Sequence, residues 1–415
     1  MRYMRVLQIN KFFYRRGGAE THFLDLCGLL KSRGHEVIHF STADSRNEPS
    51  PYSAYFVPSI DLRAKHGLLG GLKVAEHILY SCEAARQLEQ LIKDTRPDIA
   101  HLHNIYHHLS PSILLVLKKY EIPVIMTLHD YKLICPNYKL YTQGEICERC
   151  KKHKYYQAIL HRCIFDKIMP SALAALEMSI HKFWGVYEKN IDLFISPSIF
   201  LKNKLLEWGI EKKIEVIPNF ISSFESLRAT CLPDRQERSN LFGDYLLYFG
   251  RLSEEKGLLT LIWAMKNLPD VQLRIVGDGP LKEKLQNLAD KPENVQLVGY
   301  KSGDELAQEI VGARAVVIPS EWYENYPVSI LEAMNYGKPI IAANIGGLLE
   351  IVRDGVSGLL FQPGNANYLV EKIKLLCNSV GLARTLGQAG QKQVSEENNQ
   401  EAYYKRILAV YQGLI

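Results

Sequence analysis

Two glutamates eight residues apart, Glu324 and Glu332, stand in the run Pro319–Gly347, PSEWYENYPVSILEAMNYGKPIIAANIGG. Proline suits a first helical position, so Pro327 marks an opening helix, with Glu324 in the loop before it and Glu332 about one turn inside. Helical side chains lean toward the N-terminus, so both carboxylates can turn to one side. One can accept hydrogen bonds from sugar hydroxyls and the other from ribose hydroxyls, while the free amides of the first turn favour a phosphate between them. Taken alone, the pair reads as a loop carboxylate and a solvated helix residue. YFGRLSEEKG, Tyr248–Gly257, changes the balance by setting Arg251 and Lys256 after a strand-like run. Two cations there can clamp a diphosphate and take up charge that grows on it as a glycosidic bond breaks. RRGGAE, Arg15–Glu20, adds Gly17 and Gly18, which let backbone amides approach a phosphate or sugar closely.

Cys135, Cys147, Cys150 and Cys163 form C-x11-C-x2-C-x12-C, whereas Cys27, Cys82, Cys231 and Cys377 are scattered. Four thiolates can close a tetrahedral structural zinc shell with no place for a catalytic water. Disulfides and four unligated thiols remain the alternatives, the former disfavoured in a reducing compartment. His101, His103, His107 and His108 lack the helical i, i+4 spacing of a zinc pair. They read as satisfied or solvent-facing, with His103 at a strand end. Gly277-Asp278-Gly279 carries Lys282 where a dinucleotide fingerprint needs its third glycine, so it reads as a tight turn.

These residues need strand ends and helix starts to hold them, and the sequence supplies both twice. Strand-like runs Val6–Asn10, Glu36–Phe40, Asp98–His103, Pro123–His129 and Asp192–Ser198 alternate with helical stretches, one of them near Leu72–Lys93. After a polar linker, Pro218–Asp244, the alternation resumes with Tyr245–Gly250, Val271–Gly277, Val295–Tyr300, Ala315–Ser320, Pro339–Asn344 and Gly358–Pro363. Such alternation predicts an α/β chain of two doubly wound, Rossmann-like domains facing each other across a cleft. The expected bounds are 1–218 with a Cys-containing insertion near 131–170, 219–396, and a helix at 397–415 packing back across the junction.

At 415 residues the chain suits two cores. No run of about 18 apolar residues occurs, and the opening MRYMRVLQIN is too short for a signal-peptide core, so a cytoplasmic protein is expected. The net charge of +5 is uneven: residues 1–220 hold 30 Lys and Arg against 22 Asp and Glu, residues 221–415 hold 20 against 23. A basic first half suits an anionic membrane or a phosphorylated acceptor; nucleic acid is disfavoured because no recognition motif accompanies the charge. Lys151, Lys152 and Lys154 near Ile159, Leu160 and Ile164 form the patch expected to approach the inner face of a membrane.

The Gly17–Gly18 loop, TLHD at Thr127–Asp130, IPNF at Ile217–Phe220, GRLSEEKG, IVGDGP at Ile275–Pro280 and the E-x7-E element together resemble glycosyltransferase family 4, retaining enzymes of GT-B fold, over nearly the whole chain. The resemblance implies that Arg251 and Lys256 bind the donor diphosphate, Glu332 the ribose and Glu324 the donor sugar. His129 would reach sugar and acceptor, Tyr300 would border the base, and Gly17, Gly18, Asn325, Tyr326 and Val328 would line the donor. Many relatives have glycines after the first Glu; here Asn325, Tyr326 and Pro327 follow, and Pro327 has no N–H to give. The chain has no Asp-x-Asp, so the cations and the helix end must neutralise the leaving group without a catalytic metal. The implied reaction moves a hexose-type sugar from a nucleotide diphosphate, UDP before GDP, to a saccharide or lipid-linked acceptor in cell-surface polysaccharide or glycoconjugate synthesis. A nucleotide-sugar isomerase or epimerase and a non-catalytic two-domain binding protein are the rival readings.

Overall fold

The computed structural model describes residues 3–60, 76–222, 243–288 and 290–415. The chain forms two compact units, one of Met1–Gln143, Cys147–Pro218 and Tyr403–Ile415, the other of Asn219–Ala402 with Gly144–Ile146. Cys231 and most of the expected linker fall outside the described residues.

The first unit holds a six-stranded parallel sheet: β1 (Arg5–Ile9), β2 (Glu36–Phe40), β3 (Ile99–Leu102), β4 (Val124–Thr127), β5 (Leu193–Ser196) and β6 (Ile214–Val216), in the order β6-β5-β4-β3-β1-β2. Every residue of β3, β4 and β5 is buried, which is why these strands read as mainly apolar runs. Helices α1 (Gly18–Ser32), α2 (Cys82–Thr95), α3 (Ser112–Lys119), α4 (Ile168–Trp184) and α5 (Ile199–Glu207) connect and cover them. The helix expected near Leu72–Lys93 is interrupted: residues 76–79 are helical, and after a break α2 begins at Cys82, where the Ser81 hydroxyl accepts the Ala84 N–H at 3.2 Å. Residues 72–75 of that expectation lie outside the described residues.

The second unit repeats the plan with β7 (Tyr245–Phe249), β8 (Gln272–Val276), β9 (Val295–Gly299), β10 (Ala313–Ile318), β11 (Ile340–Ala343) and β12 (Gly358–Phe361). Their order is β9-β8-β7-β10-β11-β12, all parallel. Helices α6 (Leu258–Met265), α7 (Gly303–Gly312), α8 (Val328–Asn335), α9 (Ala366–Cys377) and α10 (Val380–Glu397) belong to it. The last helix, α11 (Gln400–Gln412), returns to the first unit from Tyr403 onward.

The segment between β4 and α4 departs from regular structure. Of the twelve non-glycine residues with left-handed backbones among the described residues, eight lie there, from Tyr138 to Asp166. Each such conformation costs on the order of 1 kcal/mol and persists only where its surroundings hold it. Among the described residues no helix is long and apolar enough to cross a membrane.

Candidate functional site

Parallel sheets bind ligands beyond the carboxyl ends of strands, beside the point where strand order reverses. In the second unit that point lies between β7 and β10. Lys256, in the 3-10 turn Glu254–Lys256 after β7, reaches Glu324 after β10, with Nζ 2.6 Å from Oε1. Ser320 donates its hydroxyl to the same oxygen at 2.5 Å, and the ammonium lies 5.1 Å from the centre of the Trp322 ring. The carboxylate is 5 % exposed and the lysine side chain 21 %, so the pair is largely withdrawn from water. Oε2 of Glu324 accepts no hydrogen bond among the described residues, leaving an acceptor for a ligand.

Backbone contacts fix this geometry. Gly257 has φ 67°, and a Cβ there would stand 1.9 Å from the Pro319 carbonyl oxygen. Gly347 donates its N–H to the Glu324 carbonyl at 2.8 Å, and a Cβ there would meet the Asn325 carbonyl at 1.7 Å. Tyr248 donates its hydroxyl to the Arg251 carbonyl at 2.8 Å. Burial, then the charges of Glu324 and Glu255, push that phenol well above its usual range, so it remains a donor.

Arg251 is exposed and makes no ion pair among the described residues; Tyr300, just past β9, is 62 % exposed. Glu332 is half-buried on α8, and Asn325 and Val328 are buried at its start. Pro327 takes the cap position, and the helix begins at Val328. Tyr326 is buried as well: its hydroxyl accepts the Asn398 amide at 3.0 Å and its carbonyl the Asn219 amide at 2.8 Å. Its side chain belongs to the packing beneath the loop. Ser320, Trp322 and Gly347 escaped sequence reading, because a serine, a tryptophan and a glycine after strands carry no spacing signal.

In the first unit the order reverses between β1 and β3, where a buried polar network joins three strand ends. His103 Nε2 lies 3.1 Å from Gln8 Oε1, which can only accept, so Nε2 carries the proton. His103 Nδ1 is then a lone pair, and His129 Nε2, 2.9 Å away, donates to it. Half-buried His129 keeps Nδ1 as an unprotonated acceptor. Gln8 Nε2 donates to the Tyr411 hydroxyl at 3.3 Å, Tyr411 donates to His101 Nδ1 at 2.8 Å, and His101 Nε2 donates to Thr127 Oγ1 at 2.7 Å. Burial first, then the neighbouring imidazoles and, at His129, Lys11, holds His101, His103 and His129 well below the usual imidazole range, which keeps them neutral.

Around this network, exposed Gly17 and Gly18 open α1, whose first-turn amides lack helical partners. His22 of α1 meets the His129 ring edge-on at 5.5 Å and contacts the Tyr403 hydroxyl at 3.1 Å. Three residues past His129, Lys132 pairs at 2.8 Å with Glu177 of α4, their side chains 3 % and 0 % exposed. His107 approaches the same Glu177 oxygen at 3.4 Å. Burial would raise the Glu177 carboxyl, but Lys132 and His107 outweigh it and leave it lowered.

Cys135 and Cys150 are buried, Cys147 and Cys163 half-buried, and all four are free thiols. The Cys135 thiol donates to Asn137 Oδ1 at 2.9 Å, while its sulfur accepts backbone N–H bonds from Leu140 and Asn137. Burial and the neighbouring cysteines push Cys135 up to about 11 and also raise Cys150 and Cys163. As they stand, no group of three or more His, Cys, Asp or Glu among the described residues is gathered as a metal ion requires.

The family model for Glycosyltransferase Family 4 matches residues 16–223, and that for Glycosyl transferases group 1 matches residues 234–393. An uncharacterised glycosyltransferase of Methanocaldococcus jannaschii is 27 % identical over 99 % of both chains. Sulfoquinovosyl transferase SQD2 of Arabidopsis thaliana is 33 % identical over 91 % of this chain and 67 % of its own. Among solved structures, HepE of Anabaena in complex with UDP-glucose superposes with a TM-score of 0.67 at 19 % identity, covering 99 % of this chain and 100 % of that one.

Proposed function

Because the chain belongs to glycosyltransferase family 4 and has its two-domain Rossmann-like, GT-B type architecture, we propose that it moves a hexose-type sugar from a nucleotide diphosphate to a saccharide or lipid-linked acceptor, with retention and without a catalytic metal. The observation that carries this reading is the Lys256–Glu324 pair at a switch point, with a free carboxylate oxygen and exposed Arg251 on the neighbouring loop. Glu324 Oε2 accepts a hydroxyl of the donor sugar, and Glu332 accepts the ribose hydroxyls. Arg251, Lys256 and the α8 amides hold the diphosphate. Tyr300 borders the base, which the UDP-glucose complex of the fold neighbour inclines toward uracil. His129 turns its bare Nδ1 to a hydroxyl of sugar or acceptor. In a front-face step the acceptor oxygen bonds the anomeric carbon as the bond to the diphosphate breaks, and the departing phosphate oxygen takes the acceptor proton. The reaction is proposed to run on the cytoplasmic side, in polysaccharide or glycoconjugate synthesis.

A donor panel tests the reading without knowledge of the acceptor: UDP- and GDP-sugars are scored by slow hydrolysis and thermal stabilisation. One donor should stabilise the protein and release its sugar in EDTA. Dependence on added Mg²⁺ or Mn²⁺ would overturn the metal-free account, and stabilisation by no donor would overturn the activity.

The four cysteines are proposed to close on one structural zinc. The spacing of the four cysteines and the left-handed residues between Tyr138 and Asp166 support it, since metal binding would supply free energy to hold such a segment. Elemental analysis of protein purified without added metal should find about one zinc per chain. Its absence, with all four thiols alkylated in the native protein, would remove the site.

A further inference from the structure

Helix α4, IMPSALAALEMSIHKFW, buries three polar side chains beside Ala174, Ala175 and Met178. Its inward face carries the polar groups: Ser171, Glu177 and His181 are buried, Glu177 against Lys132 and His107. Its outward face recurs at helical spacing through Ile168, Met169, Ala172, Leu176, Ile180 and Phe183, and Trp184 closes the helix. Met169 is 78 % exposed, Phe183 86 % and Trp184 60 %, with Ile168 and Leu176 both about half exposed. Exposed Ser179 returns its hydroxyl to the Ala175 carbonyl at 2.7 Å, so no unsatisfied polar group interrupts the stripe. Lys182 is tied to Glu188. Seventeen helical residues extend the stripe to about 25 Å, and exposed Leu160 and Phe165 continue it on the preceding loop.

A face of this size and composition marks an interaction surface, and its rim decides the partner. Over residues 152–167, Lys152, Lys154, Arg162 and Lys167 are exposed against one exposed acid, Asp166. A second copy docking through the same patch by twofold symmetry would bring these cations toward their own images. Anionic headgroups answer them, and a terminal tryptophan and phenylalanine suit the boundary between headgroup and acyl chain.

The geometry points to α4 as a monotopic anchor that lays its outward face on an anionic bilayer. Lys151 of the expected basic patch pairs with Glu207 of α5. The surface stands whether or not the chain transfers sugar; only the lipid-linked class of acceptor that it implies rests on the reading above. On its inward side, α4 holds Lys132, three residues from His129, so an anchored helix keeps this site loop beside the bilayer.

Full-length protein is sedimented with phosphatidylcholine vesicles, with and without phosphatidylglycerol, at low and high salt. Binding is expected only to the anionic vesicles at low salt, with a blue shift of tryptophan emission. The double variant Phe183→Ser/Trp184→Ser should lower the partition coefficient about tenfold or more. Lys152→Gln and Arg162→Gln should each lower it about fivefold. All four positions are exposed, so the fold should be retained, as unchanged circular dichroism would report. Equal binding to both vesicles, no binding, or a wild-type dimer that the double variant makes monomeric would each overturn the anchor. Donor hydrolysis measured without vesicles keeps its failure separate from failure of the transferase reading.

Discussion

Glu324 and Glu332 occupy unlike surroundings, which separates what their removal should do. Glu324 neutralises a largely buried ammonium, so Glu324→Ala leaves Lys256 against Ser320 and the Trp322 ring. A loss of about 10²–10³ in kcat is expected, the scale of one strong electrostatic donor or acceptor, with about 3 kcal/mol of stability lost as the buried pair is broken. Glu332→Ala should instead raise the donor KM, and steady-state kinetics of both variants distinguish the roles. At His129 the prediction concerns a proton. Nitrogen NMR of labelled histidine should show Nε2 protonated and Nδ1 bare; Gln8→Leu, which removes the acceptor fixing His103, should mix the tautomers and lower kcat more than it changes donor KM. A protonated Nδ1 in the native protein would break the chain of assignments. The residue types were legible in the sequence where spacing marked them, as with Arg251, Lys256 and Glu324. Gln8, Ser320 and Tyr411 were not, because a contact across strands or from a distant helix leaves no trace in local order.

Among the elements, strands were the most readable, since a strand buried on both faces must be an apolar run and helices separate the runs. β6, Ile214–Val216, was missed because three residues are too few for any period. α4 shows a deeper limit. Periodicity reveals that a helix has an apolar side without saying which way it points, and here the burial of Glu177 turns that side outward. Glu177→Gln should therefore cost about 3 kcal/mol in urea unfolding, whereas Leu176→Ser, one residue earlier on the exposed face, should stay within about 0.5 kcal/mol. In the second unit, Gly257→Ala forces a Cβ against the Pro319 carbonyl from a left-handed backbone. It should destabilise by more than about 1 kcal/mol and lower kcat by parting Lys256 from Glu324, as urea titration and kinetics would show.

Over the whole molecule, all 13 histidines precede residue 219. Burial holds His22 at about 4, His39 at about 4, His107 at about 3 and His108 at about 4. The unfolded chain takes up protons near 6.5 while the folded one refuses them, so stability is full above that pH. It falls by about 1.4 kcal/mol per pH unit for each such residue as pH drops from there toward its folded value. The raised carboxyls of Glu20 and Asp130 act in the opposite sense but are outnumbered. Calorimetry between pH 7 and 5 should show the first unit's transition moving down while the second's stays. The return of Tyr403–Ile415 to the first unit also imposes an order in time. Tyr403, Tyr404 and Tyr411 partner His22, His35 and His101, so these buried imidazoles await residues translated after the whole stretch Asn219–Ala402. At 5–20 residues per second the ribosome needs roughly 10–40 s to cross it. During that interval the nascent first unit holds an unfinished core, and a chaperone, or the second unit folding meanwhile, must tolerate the wait.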